Sequence, residues 1–151
     1  MRVTAKVDYA LRALVELAAA EGATVKGDRL AEAQRIPLKF LENILAELRR
    51  AGIVGSQRGA DGGYRLQRPA DSVSVADVIR AVEGPLADVH GTPPEALDPP
   101  GLAAPVREVW MATRAALRSV LEEVSVGQIA RNELPPVISA LLADPGAWAR
   151  R

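Results

Sequence analysis

The sequence predicts a mainly α-helical fold with a small β-hairpin wing, that is, a winged helix-turn-helix followed by a long C-terminal helix. Three observations point there. Of the 151 residues 48% are apolar but only 3% aromatic, which favours helices packed through aliphatic side chains over aromatic-rich strands. Two helical patterns flank Arg35-Ile36-Pro37, the arrangement of a helix-turn-helix. Directly after them, two short extended runs frame a glycine-rich tip.

Thr4 is the predicted cap of a first helix, in which Val7, Ala10, Leu11, Leu14, Leu17 and Ala18 recur at helical spacing before a stop near Gly22. A short second helix fits Asp28 to Arg35, with Asp28 as its cap and Leu30, Ala31 and Gln34 along one face. The third runs from about Pro37 to Ala51. Pro37 suits its first turn, Leu41, Ile44, Leu45 and Leu48 form its buried face, and Gly52 supplies the left-handed stop. Ile53 to Ser56 and Tyr64 to Gln67 then read as the two arms of the hairpin.

Ser74 and Asp77 form a capping-box pattern for a helix through Val75, Val78, Ile79 and Val82, closed by Gly84 and Pro85. Prolines punctuate the stretch from Pro85 to Pro105 and no apolar period runs through it, so a loop is expected. From there Val106, Val109, Trp110, Thr113, Leu117, Val120, Leu121 and Val124 fall three and four residues apart, a seam suited to dimerisation with a second copy. Ser125 with Gln128 is a second capping-box pattern, Pro135 to Ala143 fits one more helix, and beyond Pro145 only Trp148 is expected to be anchored. This divides the chain into a winged helix-turn-helix at 1–84, a loop at 85–104, and the dimerisation helix with its tail at 105–151.

The chain holds no cysteine, which excludes disulfides, thiolate metal sites and a cysteine nucleophile. With one histidine and no clustered carboxylate pair or phosphate-binding loop, no catalytic constellation is left, and an enzyme is not expected. Lys6, Asp8, Arg12 and Glu16 interrupt the apolar N-terminal stretch, so neither a signal peptide nor a membrane span fits, and a cytoplasmic, nucleoid-associated protein is expected. Net charge is zero, yet Met1 to Arg68 carries 12 basic against 8 acidic residues and the remainder 7 against 11. A basic first half suits an anionic partner such as the phosphate backbone of double-stranded DNA.

The second helix of a helix-turn-helix fits the major groove and presents its first side chains to base edges. Here those are Lys39, Phe40, Glu42 and Asn43. Lys39 suits phosphate or guanine, Glu42 can accept from cytosine, and Asn43 matches adenine or phosphate. In the wing, Arg58 stands where it can enter a minor groove, and Gly59, Gly62 and Gly63 allow backbone N–H groups close to phosphate, although hairpin geometry alone would also call for such glycines. A winged fold that has lost DNA readout and docks proteins instead is the alternative reading.

These segments resemble the Rrf-two family of winged-helix transcriptional regulators, the group of the iron-sulfur cluster assembly regulator and the nitric-oxide-sensing repressor. The resemblance rests on MRVTAKVDYALRAL, IPLKFLENILAELRRAGIV, RGADGGYRLQRP, VSVADVIRAVEGPLA and the helix around Val109-Trp110. It implies a homodimer paired through its long C-terminal helices, with two recognition helices on a palindromic operator, and most simply a repressor. It also implies base-reading roles for Lys39 and Glu42 and a minor-groove role for Arg58, while Ala60 and Asp61 depart from the usual Pro-Gly of the wing tip.

Many relatives hold an iron-sulfur cluster on three cysteines ahead of the dimer helix, and this chain has none. His90 lies near the position of the first of them, and Asp8 matches a carboxylate that some members supply from the other subunit. Without thiolates no cluster or other cofactor is expected, and His90 reads as a loop surface residue. An unidentified small-molecule or protein effector would find room between the first helix, the dimer helix and the Pro85 to Pro105 loop, where Trp110 either lines that space or, as is usual for an aromatic on an apolar face, fills the junction between dimer helix and wing domain.

Overall fold

A computed structural model of the chain describes residues 3–149. Helices α1 (Ala5–Ala19), α2 (Gly27–Gln34) and α3 (Leu38–Arg50) come first, followed by the antiparallel hairpin of β1 (Val54–Gln57) and β2 (Gly63–Leu66). After these come α4 (Val75–Glu83), the long α5 (Val106–Leu121), and two short helices, α6 (Val126–Arg131) and α7 (Pro136–Leu142).

Local chemistry sets most of these boundaries. The Thr4 hydroxyl accepts from the Val7 N–H and starts α1, and both capping boxes form, Ser74 with Asp77 on α4 and Ser125 with Gln128 on α6. At the end of α3, the Ile53 N–H reaches back to the Leu48 carbonyl and the Gly52 N–H to Arg49, the Schellman pair that needs Gly52 at its φ of 72°. The same pair of bonds closes α2, but there the left-handed residue is Arg35, at φ 53°. Ile36 follows it into the core and pins the turn that an arginine would otherwise disfavour.

Helix α2 departs from expectation at its start. Lys26 rather than Asp28 occupies the cap position, and the Asp28 carboxylate accepts from the Arg29 N–H at 2.8 Å. The cause lies in β2: Val25 and Tyr64 exchange two backbone bonds of 2.8 Å, so the helix begins as soon as the chain leaves that bridge. Pro37 likewise stands at the cap of α3, one residue ahead of its first turn.

The core is formed by Val7, Ala10, Leu14 and Leu17 of α1, Leu41, Ile44, Leu45 and Leu48 of α3, and Val78, Ile79 and Val82 of α4. Val124 and Val126 complete it, although they follow α5 in sequence. They are carried there by a short ladder in which the Val75 N–H donates to the Val124 carbonyl and the Val126 N–H to Val73, both at 2.9 Å. Val124 is therefore a correction to the expected seam: α5 ends at Leu121, and Val124 is buried inside its own protomer.

An ion pair clasps the same junction. Arg131 of α6 holds Asp71 with Nη2 at 2.9 Å and Nη1 at 3.3 Å, and the Ser125 hydroxyl donates to Asp71 at 3.4 Å. Gly127 allows that approach, since a Cβ there would overlap the Asp71 carboxylate and come within 3.1 Å of Arg131 Nη1. The stretch ahead of α5 contains two short 3₁₀ turns, Pro94–Ala96 and Gly101–Ala103, and Arg114 of α5 fastens the first by an ion pair to Glu95 at 2.5 Å. Trp148 is a second correction: it is 74% exposed and held by one bond from its indole N–H to the Leu142 carbonyl.

Gly127→Ala should lower stability by about 1–2 kcal/mol in urea denaturation, the usual cost of overpacking a close contact. The hydrogen bond and charge of Arg131 hold Asp71 below its ordinary value of 3.8. The stability this gives is complete above that value and is lost as pH falls through the lowered one, because the unfolded chain takes up the proton first. Melting temperatures of wild type and Asp71→Asn measured from pH 7 to pH 2 should therefore converge at the acid end.

Candidate nucleic-acid interface

Helix α3 presents Lys39, Glu42 and Asn43 to solvent from its first turns, opposite the leucine face that anchors it. Lys39 and Glu42 lie 3.3 Å apart as an exposed i,i+3 ion pair, a weak contact that a nucleic-acid partner can replace at little cost. Phe40 belongs with them by position only in part. Its ring meets Tyr9 of α1 edge-on at 5.8 Å between centroids, so it braces the recognition helix while remaining 40% exposed.

The helix-turn-helix is also tied to α1 through polar groups. Arg12 donates through Nε to the Gln34 side chain at 3.0 Å and through Nη2 to the Gln34 carbonyl, and its guanidinium lies 5.3 Å from the Tyr9 ring centre. Glu16 accepts from the Gln34 amide. Lys6 joins three helices at one point, with an ion pair to Glu47 of α3 at 2.8 Å and a bond to the Val82 carbonyl of α4 at 2.6 Å. These contacts give α3 a fixed orientation, which reading base edges requires.

In the wing, Arg58 and Gly59 are exposed at the tip, and Gly59 has a φ of 105° in open space. Gly62 and Gly63 are occupied differently. Gly62 is buried, and a Cβ on it would overlap the Gln57 carbonyl and lie 2.9 Å from Gly59 O. A Cβ on Gly63 would stand 2.6 Å from the Val25 carbonyl oxygen, at the bridge that joins the wing to the start of α2. The protein's own backbone thus accounts for both glycines, and the Thr24 hydroxyl adds a bond to the Asp61 carbonyl at 2.9 Å.

Three basic side chains that the sequence reading passed over share this part of the molecule. Lys26 and Arg29 are exposed at the start of α2, and Arg65 is exposed on β2 opposite Gly55. Arg65 was legible as the outward residue between Tyr64 and Leu66, the alternation expected of a strand with one face covered. Lys26 was not, because its place follows from the Val25 to Tyr64 bridge.

The profile of the Rrf2 family, described as iron-dependent transcriptional regulators, matches residues 3–132. A helix-turn-helix-type transcriptional regulator of Mycobacterium tuberculosis is 46% identical over 145 residues, covering 95% of this chain and 90% of that one. The regulator IscR of Cereibacter sphaeroides is 34% identical over 141 residues, covering 90% and 91%. Among solved structures, CymR, the global cysteine regulator of Bacillus subtilis, superposes with a TM-score of 0.72 at 32% identity, over 87% of this chain and 98% of that one.

The donors present do not fit an iron-sulfur cluster. The chain has no cysteine, and among the described residues no group of three or more His, Asp and Glu could hold a metal ion. His90 is exposed in a turn at φ 54°, and Asp8 is paired with Arg12 at 3.1 Å. Similarity over nearly the whole length and a winged-helix architecture shared with solved regulators agree, and the chain belongs to the Rrf2 family of helix-turn-helix transcriptional regulators.

Proposed function

We propose that the chain acts as a homodimer which places two winged helix-turn-helix heads on a palindromic operator and represses by occluding the promoter, without an iron-sulfur cluster. The observation that carries this reading is the state of α5. No residue of that helix is buried, and Val106, Val109 and Trp110 are 40%, 56% and 41% exposed along the stripe that continues through Thr113, Leu117 and Val120. An apolar stripe of this length on a helix fits a second copy related by a two-fold axis.

The head supports the rest. Lys39, Glu42 and Asn43 are exposed on a braced helix, and Arg58 is exposed at a wing tip whose shape the protein's own backbone determines. Duplex DNA as target implies a cytoplasmic setting, and no helix among the described residues is long and apolar enough to cross a membrane.

The test is a gel shift against the DNA upstream of the protein's own gene, where a salt-sensitive, sequence-selective shift is expected; its absence would return the docking-module alternative. Arg58→Ala should weaken the specific complex by about tenfold and reduce the salt slope by about one, as for a single lost groove contact. Val109→Glu should yield monomers by light scattering while the circular-dichroism spectrum is retained, because the charge would lie in the dimer seam.

A further inference from the structure

The segment that enters α2 lies between the wing and the recognition helix. On one side the Thr24 hydroxyl donates to the Asp61 carbonyl at 2.9 Å, and Val25 exchanges two backbone bonds with Tyr64 of β2. On the other, Gly27 fits closely: a Cβ there would stand 3.3 Å from the Tyr64 ring and 3.8 Å from Leu38, the first residue of α3. Lys26 stands between these two contacts and is exposed. Among the described residues its amine is in no ion pair, whereas its neighbour Arg29 is paired with Glu32 at 3.5 Å.

Helix chemistry does not call for a lysine here. Lys26 occupies the cap of α2 at φ −68° and ψ 145°, the extended geometry in which a serine, threonine, asparagine or aspartate would satisfy a free N–H of the first turn. Its side chain makes no such bond, and its charge sits at the positive end of the helix dipole, where a cation is unfavourable. An anion beside it would offset that charge, and the position of Lys26 indicates which anion. With α3 in a major groove and Arg58 in the adjacent minor groove, the sugar-phosphate strand separating the two grooves passes the segment that joins wing to recognition helix. We infer that Lys26 binds a phosphate of that strand, a contact that fixes the register of the head on the duplex without reading its sequence. The inference rests on the DNA binding proposed above and adds to it a contact that neither α3 nor the wing supplies.

The test uses the full chain and a duplex that the wild type selects from a random-sequence pool. Lys26→Ser removes the charge and supplies a cap, so the melting temperature should hold or rise while DNA binding weakens, opposite movements that a merely structural role would not produce. The loss should be about tenfold per protomer at about 0.1 M salt, equal for the selected and a scrambled duplex, with the salt slope lower by about one per protomer. In phosphate-ethylation interference, the wild type should show a signal on the strand between the two contacted grooves, which Lys26→Ser loses and Lys26→Arg keeps. Arg65→Ala removes an equal charge from the face of β2 turned away from Tyr64 and should leave that signal in place. An unchanged salt slope and ethylation pattern in Lys26→Ser, a loss confined to the selected sequence, or the same lost signal in Arg65→Ala would each overturn the assignment. If the wild type selects no duplex, the operator reading fails and this contact with it, whereas wild-type binding that Lys26→Ser leaves intact removes the contact alone.

Discussion

The rest of the architecture depends on the junction where the chain returns from α5 to the head. Two backbone bonds of 2.9 Å between Val73-Val75 and Val124-Val126 close the core, and the Asp71 to Arg131 clasp lies beside them. The C-terminal end of helix α5 is thereby tied to the head, and Arg80 of α4 pairs with Glu122 just beyond it.

Within the head, the same economy fixes the reading elements. Helix α3 is anchored by leucines below and by Phe40 against Tyr9 at its side, which leaves Lys39, Glu42 and Asn43 free of structural duty. The wing is stitched to the segment before α2 by the Val25 to Tyr64 bridge, whose close approach leaves no room for a Cβ on Gly63, while Gly62 is confined by the wing's own backbone at Gln57 and Gly59. Arg58 and Gly59 remain as the part of the tip that faces outwards, with Asp61 contributing its carbonyl to Thr24. Lys39, Glu42, Asn43 and Arg58 are therefore among the side chains of the head that packing leaves exposed.

Sequence reading succeeded where the determinant is local. Thr4, the two capping boxes and Gly52 were all legible because a cap is decided by residues within a turn of each other. It failed where a distant partner decides. Asp28 has the chemistry of a cap but lost the position to the Val25 bridge, and Val124 continues the spacing of α5 although the helix has already ended and the residue turns into the core. Phe40 shares the exposed turn with the base-reading candidates, and nothing near it in sequence announces Tyr9.

The central claim is that two copies of this head engage one duplex in a symmetric way. Hydroxyl-radical footprinting of the bound operator, with complex mass measured by analytical ultracentrifugation, tests it most directly. Two protomers per duplex are expected, with two protected half-sites related by dyad symmetry and centred about one helical turn or a multiple of it apart. A single protomer per duplex, or one unpaired block of protection, would contradict it.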